Sequence, residues 1–303
     1  MELRLLPLIS SATEIVHALG MGRFQVGRSH ECDYPPEVSR LPVCTWPNIA
    51  VDGPSAEIDR LVKERAAAAA SIYEMNTELV RELRPTHIFT QTQCKVCAVS
   101  LDDVERAMRA GLSADVRVVA LEPYALGDLW RDIRRVAEAC GRAAQGESVA
   151  ASLQTRMAAI AARVASAKSK PRLAALEWID PLMAAGNWVP ELIEMAGGEN
   201  LFGVAGEHAP WVSWEQILAA DPDAIIAMPC GFDLKRSAAD ARLLANRTGW
   251  KGAIYACDGN QYFNRPGPRL VESLEIMAEM LHPEILEPRF ENGGWVRVLE
   301  GGL

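Results

Sequence analysis

Helical stretches that end at a proline and run straight into a short apolar strand recur along this 303-residue chain, and that alternation constrains its fold more than any other feature. Apolar residues spaced three and four apart mark helices near 12–19, 55–83, 101–110, 189–196, 214–220, 236–245 and 268–281. Strand candidates lie between them at 3–8, 24–28, 86–91, 116–121, 172–177, 223–228 and 253–257. Such alternation calls for mainly parallel sheets with both faces covered. Two stretches also recur in the same order. Residues 12–20 resemble 189–197, and residues 78–89 resemble 215–226. The expectation is an α/β protein of two similar lobes, with a ligand cleft between them.

The length agrees with two domains, each long enough to bury a core. Leu126, Leu129, Trp130, Ile133, Val136 and Ala137 stand at helical spacing between the halves, and Gly141 breaks the pattern. We therefore expect a first lobe over 1–124, a connecting helix over 125–147 and a second lobe over 148–303. A helical joint would limit the lobes to small relative motion.

Charge narrows the partners. With 31 basic and 40 acidic residues the net charge is −9, and no basic cluster offsets it, so nucleic acid is not an expected partner. No apolar run approaches the roughly 20 residues of a membrane span. The start, Met1-Glu2-Leu3-Arg4-Leu5-Leu6-Pro7, lacks a basic leader region and a small-residue cleavage site. Seven cysteines, an odd number, do not suggest a secreted disulfide framework. These features point to a cytoplasmic protein, or to a periplasmic one whose leader has been removed.

In open parallel sheets, ligands bind beyond the carboxyl ends of the strands. The segments that follow the expected strands are rich in aromatic, acidic and thiol side chains. The first carries Cys32, Asp33 and Tyr34; later ones carry Glu177 and Trp178, then Cys230, then Gln261, Tyr262 and Arg265. Aromatic faces supply apolar area to a flat ligand, while Arg265 and Asp33 can fix its orientation. The plainer alternative is that these loops merely cap the sheets.

Cys94-Lys95-Val96-Cys97 is a two-residue-spaced thiol pair, and Cys32 and Cys230 fall in comparable loops. Four thiolates could hold zinc or an iron–sulfur cluster. The alternatives are buried free thiols, or a disulfide between Cys94 and Cys97. Among the five histidines only His30 stands beside these groups, and it is kept as a possible ligand. No nucleophile elbow, Walker loop or dinucleotide fingerprint occurs. Glu177 could act as a general base, but no nucleophile accompanies it, so an enzymatic role is the weakest option.

Several stretches carry a family likeness. They are Ser11-Ala12-Thr13-Glu14-Ile15, Val26-Gly27-Arg28-Ser29, Asp33-Tyr34-Pro35-Pro36 and Thr45-Trp46 in the first half. In the second half they are Gly197-Gly198-Glu199-Asn200-Leu201-Phe202, Ser213-Trp214-Glu215-Gln216-Ile217-Leu218 and Tyr262-Phe263-Asn264-Arg265-Pro266-Gly267. With them the chain resembles the class III substrate-binding proteins of ABC importers, of the cobalamin-binding type, and most of all their leaderless relatives. The resemblance implies two lobes joined by a long helix, non-catalytic binding of a corrinoid such as cobalamin, and ABC-importer membrane subunits as partners. It puts Tyr34, Trp46 and Arg265 at ligand-contacting positions, with Gln261 and Tyr262 beside them. Two departures stand out. Gln91-Thr92-Gln93-Cys94 and Leu182-Met183 occupy places where the family offers an aromatic contact.

Overall fold

The computed structural model describes residues 2–68, 70–92, 101–109 and 115–298. The chain forms two compact units. One runs to Pro123 and adds Gly127–Ser152; the other holds Tyr124–Leu126 and everything from Leu153 onward.

The first unit opens with strand β1 (Leu5–Pro7) and helix α1 (Ser10–Ala18). A short antiparallel ladder follows, made of β2 (Thr45–Pro47) and β3 (Tyr73–Met75), with α2 (Ser55–Ala67) between them. Then come α3 (Thr77–Leu83), β4 (His87–Gln91), α4 (Leu101–Arg109), β5 (Arg117–Leu121) and α5 (Leu126–Ala139). Strands β1, β4 and β5 form a parallel sheet in that order. Leu6, Leu8, Val80, Ile88 and Val104 close its core. Helix α6 (Ala143–Val164) follows after the break at Gly141 and begins within this unit.

The second unit contains β6 (Arg172–Ile179), β7 (Leu182–Ala184), α7 (Val189–Met195), β8 (Glu199–Asn200), α8 (Trp214–Ala220), β9 (Ala224–Ala227), α9 (Leu234–Ala245), β10 (Ala253–Cys257), α10 (Leu270–Leu281) and β11 (Trp295–Val298). The sheet order is β11-β10-β9-β6-β7, and β8 pairs with the start of β6. The centre is parallel, while β7 and β11 are antiparallel edges. Leu176, Ile217, Ile225, Ala241, Leu244 and Ile254 are among the side chains that fill its core.

The sequence repeats correspond to shared backbone devices. Helices α1 and α7 both end on a left-handed glycine, Gly20 at φ +68° and Gly197 at φ +80°. In α1 the N–H groups of Met21 and Gly20 close on Val16 and His17; in α7 those of Gly198 and Gly197 close on Ile193 and Glu194. This double closure satisfies the last helical carbonyls and needs a residue that tolerates positive φ. Helices α3 and α8 end instead on Arg84 (φ 43°) and Asp221 (φ 48°), and a proline and a strand follow each.

The structure departs from the expected elements in three places. The single helix expected over 55–83 is two helices separated by β3. Tyr73–Met75 pairs with Thr45–Pro47, and Asn76 starts α3 by accepting the Leu79 N–H at 3.0 Å. The expected strand at 24–28 reduces to two isolated bridges, Leu5 to Gln25 and Arg28 to Val43, because a 3-10 turn at Gly22–Phe24 takes up its start. The short edges β7 and β11 lie where no strand was expected. Among the described residues no helix is long and apolar enough to cross a membrane.

Candidate functional site

In the first unit, the segment after Arg28 turns across the sheet and meets the β2–β3 ladder. Thr45 joins the two. Its buried hydroxyl accepts the His30 backbone N–H at 3.2 Å and lies 2.9 Å from His30 Nδ1. The His30 ring also packs on Tyr73, with centroids 5.3 Å apart. Burial, followed by the nearby Arg28 charge, lowers the pKa of His30 to about 4, so its imidazole is neutral near pH 7. Tyr34 and Trp46 flank this junction in sequence, and each leaves about two-fifths of its surface in solvent, 42% and 41%. Trp46 is anchored by its indole N–H, which donates to Glu74 Oε2 at 3.1 Å. Asp33 is exposed beside Tyr34.

The Cys32 side chain is fully buried, and its sulfur lies 3.0 Å from the Thr13 hydroxyl, which donates to it, and 3.2 Å from that of Ser29. Burial raises its thiol pKa, which opposes the thiolate that a zinc or iron–sulfur site needs. Its packing ties α1 to the loop. Cys94 and Cys97 lie outside the described residues. Among the described residues no group of three or more cysteine, histidine or acidic side chains is arranged to hold a metal ion.

In the second unit, Glu177 and Trp178 lie at the carboxyl end of β6. The Glu177 backbone carbonyl accepts the Cys230 N–H at 3.1 Å, which brings Cys230 to the same sheet end. The largely buried Glu177 carboxylate accepts the Gly186 N–H at 3.2 Å. Burial pushes its pKa up to about 7 against the pull of that bond and of His208. Trp178 packs at 5.3 Å on Phe232, whose other contact is the Arg236 guanidinium, 3.4 Å from the ring centre.

The segment after β10 forms a π-helical turn at Gly259–Phe263. Asp258 caps it, accepting the Gln261 backbone N–H at 2.7 Å and the Gln261 side-chain amide at 2.8 Å. The Gln261 carbonyl oxygen accepts from Arg269 at 3.3 Å. Arg265 is 96% buried and donates to Asn260 Oδ1 at 3.0 Å, bracing the same turn. Tyr262 sits edge-on to Phe290 and beneath the Arg269 guanidinium. Gln261 and Arg265 are engaged with the turn itself.

Trp211 was not legible in the sequence. It bridges to Met183 of β7 and leaves 53% of its surface in solvent. It therefore brings a large aromatic ring beside the Leu182-Met183 position where the sequence itself offers none. Only the return of the chain after α7 places it there.

Residues 8–253 match the family described as periplasmic binding protein. Over 287 residues the chain is 23% identical to a vitamin B12-binding protein of Photorhabdus laumondii, covering 92% of this chain and 88% of that one. It is 20% identical to an uncharacterized ABC transporter substrate-binding lipoprotein of Bacillus subtilis, covering 93% and 80%. Its fold is similar to that of a periplasmic heme-binding protein from Pseudomonas aeruginosa, with a TM-score of 0.71, 18% identity and full coverage of both chains. These relatives give the cytoplasmic expectation no support.

Proposed function

Because the chain belongs to the periplasmic binding protein family, whose members bind substrates without transforming them, we propose that it binds a corrinoid, cobalamin in the first place, or a related planar metal chelate. Family membership makes the protein a binder and not an enzyme. The choice of ligand class is carried by one observation. Tyr34 and Trp46 present two large, half-exposed rings on segments that Thr45 locks together. Exposed aromatic area held rigidly is costly to leave in water and is well suited to a flat macrocycle. In the second unit Trp211, Trp178 and Tyr262 carry aromatic surface of their own. Asp33, exposed beside Tyr34, offers a polar group for the ligand's edge. The same reading puts the protein outside the cytoplasm, delivering its ligand to the membrane subunits of an ABC importer, as the name of the Bacillus subtilis relative suggests for that protein.

The test is thermal unfolding of the purified chain with cyanocobalamin and, separately, with hemin. A ligand at a hundredfold excess over Kd stabilises by about 2.7 kcal/mol, a readily measured rise in Tm. Replacing Tyr34 or Trp46 by alanine is expected to weaken binding by roughly tenfold each, because each removes an aromatic contact worth about 1.4 kcal/mol. An unchanged melting curve with both compounds well above micromolar concentration would overturn the proposal.

A further inference from the structure

We infer that His30 is an axial ligand, through Nε2, for the metal of a chelate that keeps one exchangeable coordination site. The inference rests on the ligand class proposed above. The geometry around the ring carries it. A histidine that binds metal through one nitrogen has the other fixed by a hydrogen-bond partner, which selects the tautomer and holds the ring. Thr45 Oγ1 stands 2.9 Å from Nδ1 and also takes the His30 backbone N–H. The tautomer in which Nδ1–H donates to Thr45 Oγ1 leaves the Nε2 lone pair free, and a metal at Nε2 selects that tautomer. Among the described residues Nε2 makes no hydrogen bond, and its charged neighbour, Glu31 Oε1, is 3.9 Å away. The imidazole keeps 23% of its side-chain surface in solvent. It sits on the junction that carries the half-exposed rings of Tyr34 and Trp46.

The other histidines lack this combination. His17 Nε2 is bonded to Gln25. Both ring nitrogens of His87 are engaged, with Thr86 and with the Ala139 carbonyl. His282 is fully buried. His208 is exposed, but its hydrogen bond is to the carbonyl of the next residue, Ala209, and among the described residues no aromatic ring packs on it.

The step is a ligand exchange. The Nε2 lone pair forms the bond to the metal, a coordinated water leaves with its own electron pair, and the oxidation state of the metal does not change. Aquocobalamin offers such a water, whereas cyanocobalamin carries a firmly held cyanide in the same place.

The experiment compares the two cobalamins on the full chain, reading affinity by tryptophan quenching and axial ligation by the absorption spectrum of the bound corrin. The wild-type chain is expected to bind aquocobalamin at least tenfold more tightly than cyanocobalamin, with a spectral change that signals nitrogen in place of water. His30→Ala is expected to bind both compounds equally and without that change, and His208→Ala to behave as wild type. Binding of aquocobalamin with an unaltered spectrum, or a spectral change that persists in His30→Ala, would overturn the inference and leave the ligand class standing. Failure to bind either cobalamin would overturn the inference, and the ligand class falls with it if hemin also leaves the melting curve unchanged.

Discussion

Glu177→Gln should remove about 2.5 kcal/mol of the stability that the parent protein loses through this carboxyl as the pH rises from about 5 to about 8. In the folded protein burial holds the Glu177 carboxyl near pKa 7, whereas its ordinary value is 4.5. Below pH 4.5 both the folded and unfolded chains are protonated at this site, and it contributes no pH dependence. Between 4.5 and 7 the unfolded chain releases the proton while the folded chain retains it, so the unfolded state is favoured progressively. Above pH 7 the full difference is in place, about 3 kcal/mol at 1.36 kcal/mol per pKa unit. Glutamine keeps an oxygen able to accept the Gly186 N–H and has nothing to ionise, so the fold around β6 is retained. Urea unfolding at pH 5 and pH 8 should show the parent losing about 2.5 kcal/mol more than the variant, since part of the difference is already in place at pH 5. The variant will still lose some stability, since Asp132 in α5 is likewise pushed up to about 7 by burial. Parallel profiles for the two proteins would show that the carboxyl ionises normally in the fold.

The alternation of helices and strands was legible because it depends on local spacing, and the chain obeys it through most of both units. The duplicated halves were legible for a sharper reason. Gly20 and Gly197 mark the same helix ending, and Pro85 and Pro222 follow the same left-handed turn into a strand. What escaped depends on partners distant in sequence. Tyr73–Met75 is a strand only because Thr45–Pro47 lies beside it, so a helical spacing across 55–83 overrode it. How the candidate residues are engaged was not legible from their types. Cys32 and Tyr34 are two positions apart, yet one is sealed under Thr13 and Ser29 and the other stands half in solvent. Arg265 carries a binding residue's chemistry, and its guanidinium braces the turn beneath Gln261.

That turn is the basis of the second large expected effect. Gly259→Ala should destabilise the protein by about 3 kcal/mol and weaken ligand binding in the same variant. A Cβ at Gly259 would stand 2.1 Å from the Pro229 carbonyl oxygen and 2.7 Å from that of Met228. Both neighbours are backbone, so no side-chain rotation relieves the contact. Further bonds fix the two segments together. The Asn260 N–H donates to the Phe232 carbonyl at 3.0 Å, and the Asn264 side-chain amide bridges the carbonyls of Met228 and Gly259 at 3.1 and 3.0 Å. An added methyl group must therefore push the π-helical turn away from the end of β9, and Gln261, Tyr262 and Arg265 move with it. Gly127→Ala is the matched control. It lies in α5 with nothing within 4 Å of its would-be Cβ, and alanine there should be neutral or stabilising by up to about 1 kcal/mol. Chemical unfolding of both variants, with cyanocobalamin affinity measured alongside, separates the two effects. A Gly259→Ala protein within about 0.5 kcal/mol of the parent would mean that the turn can shift freely, and that its register on β9 does not hold these three side chains in place.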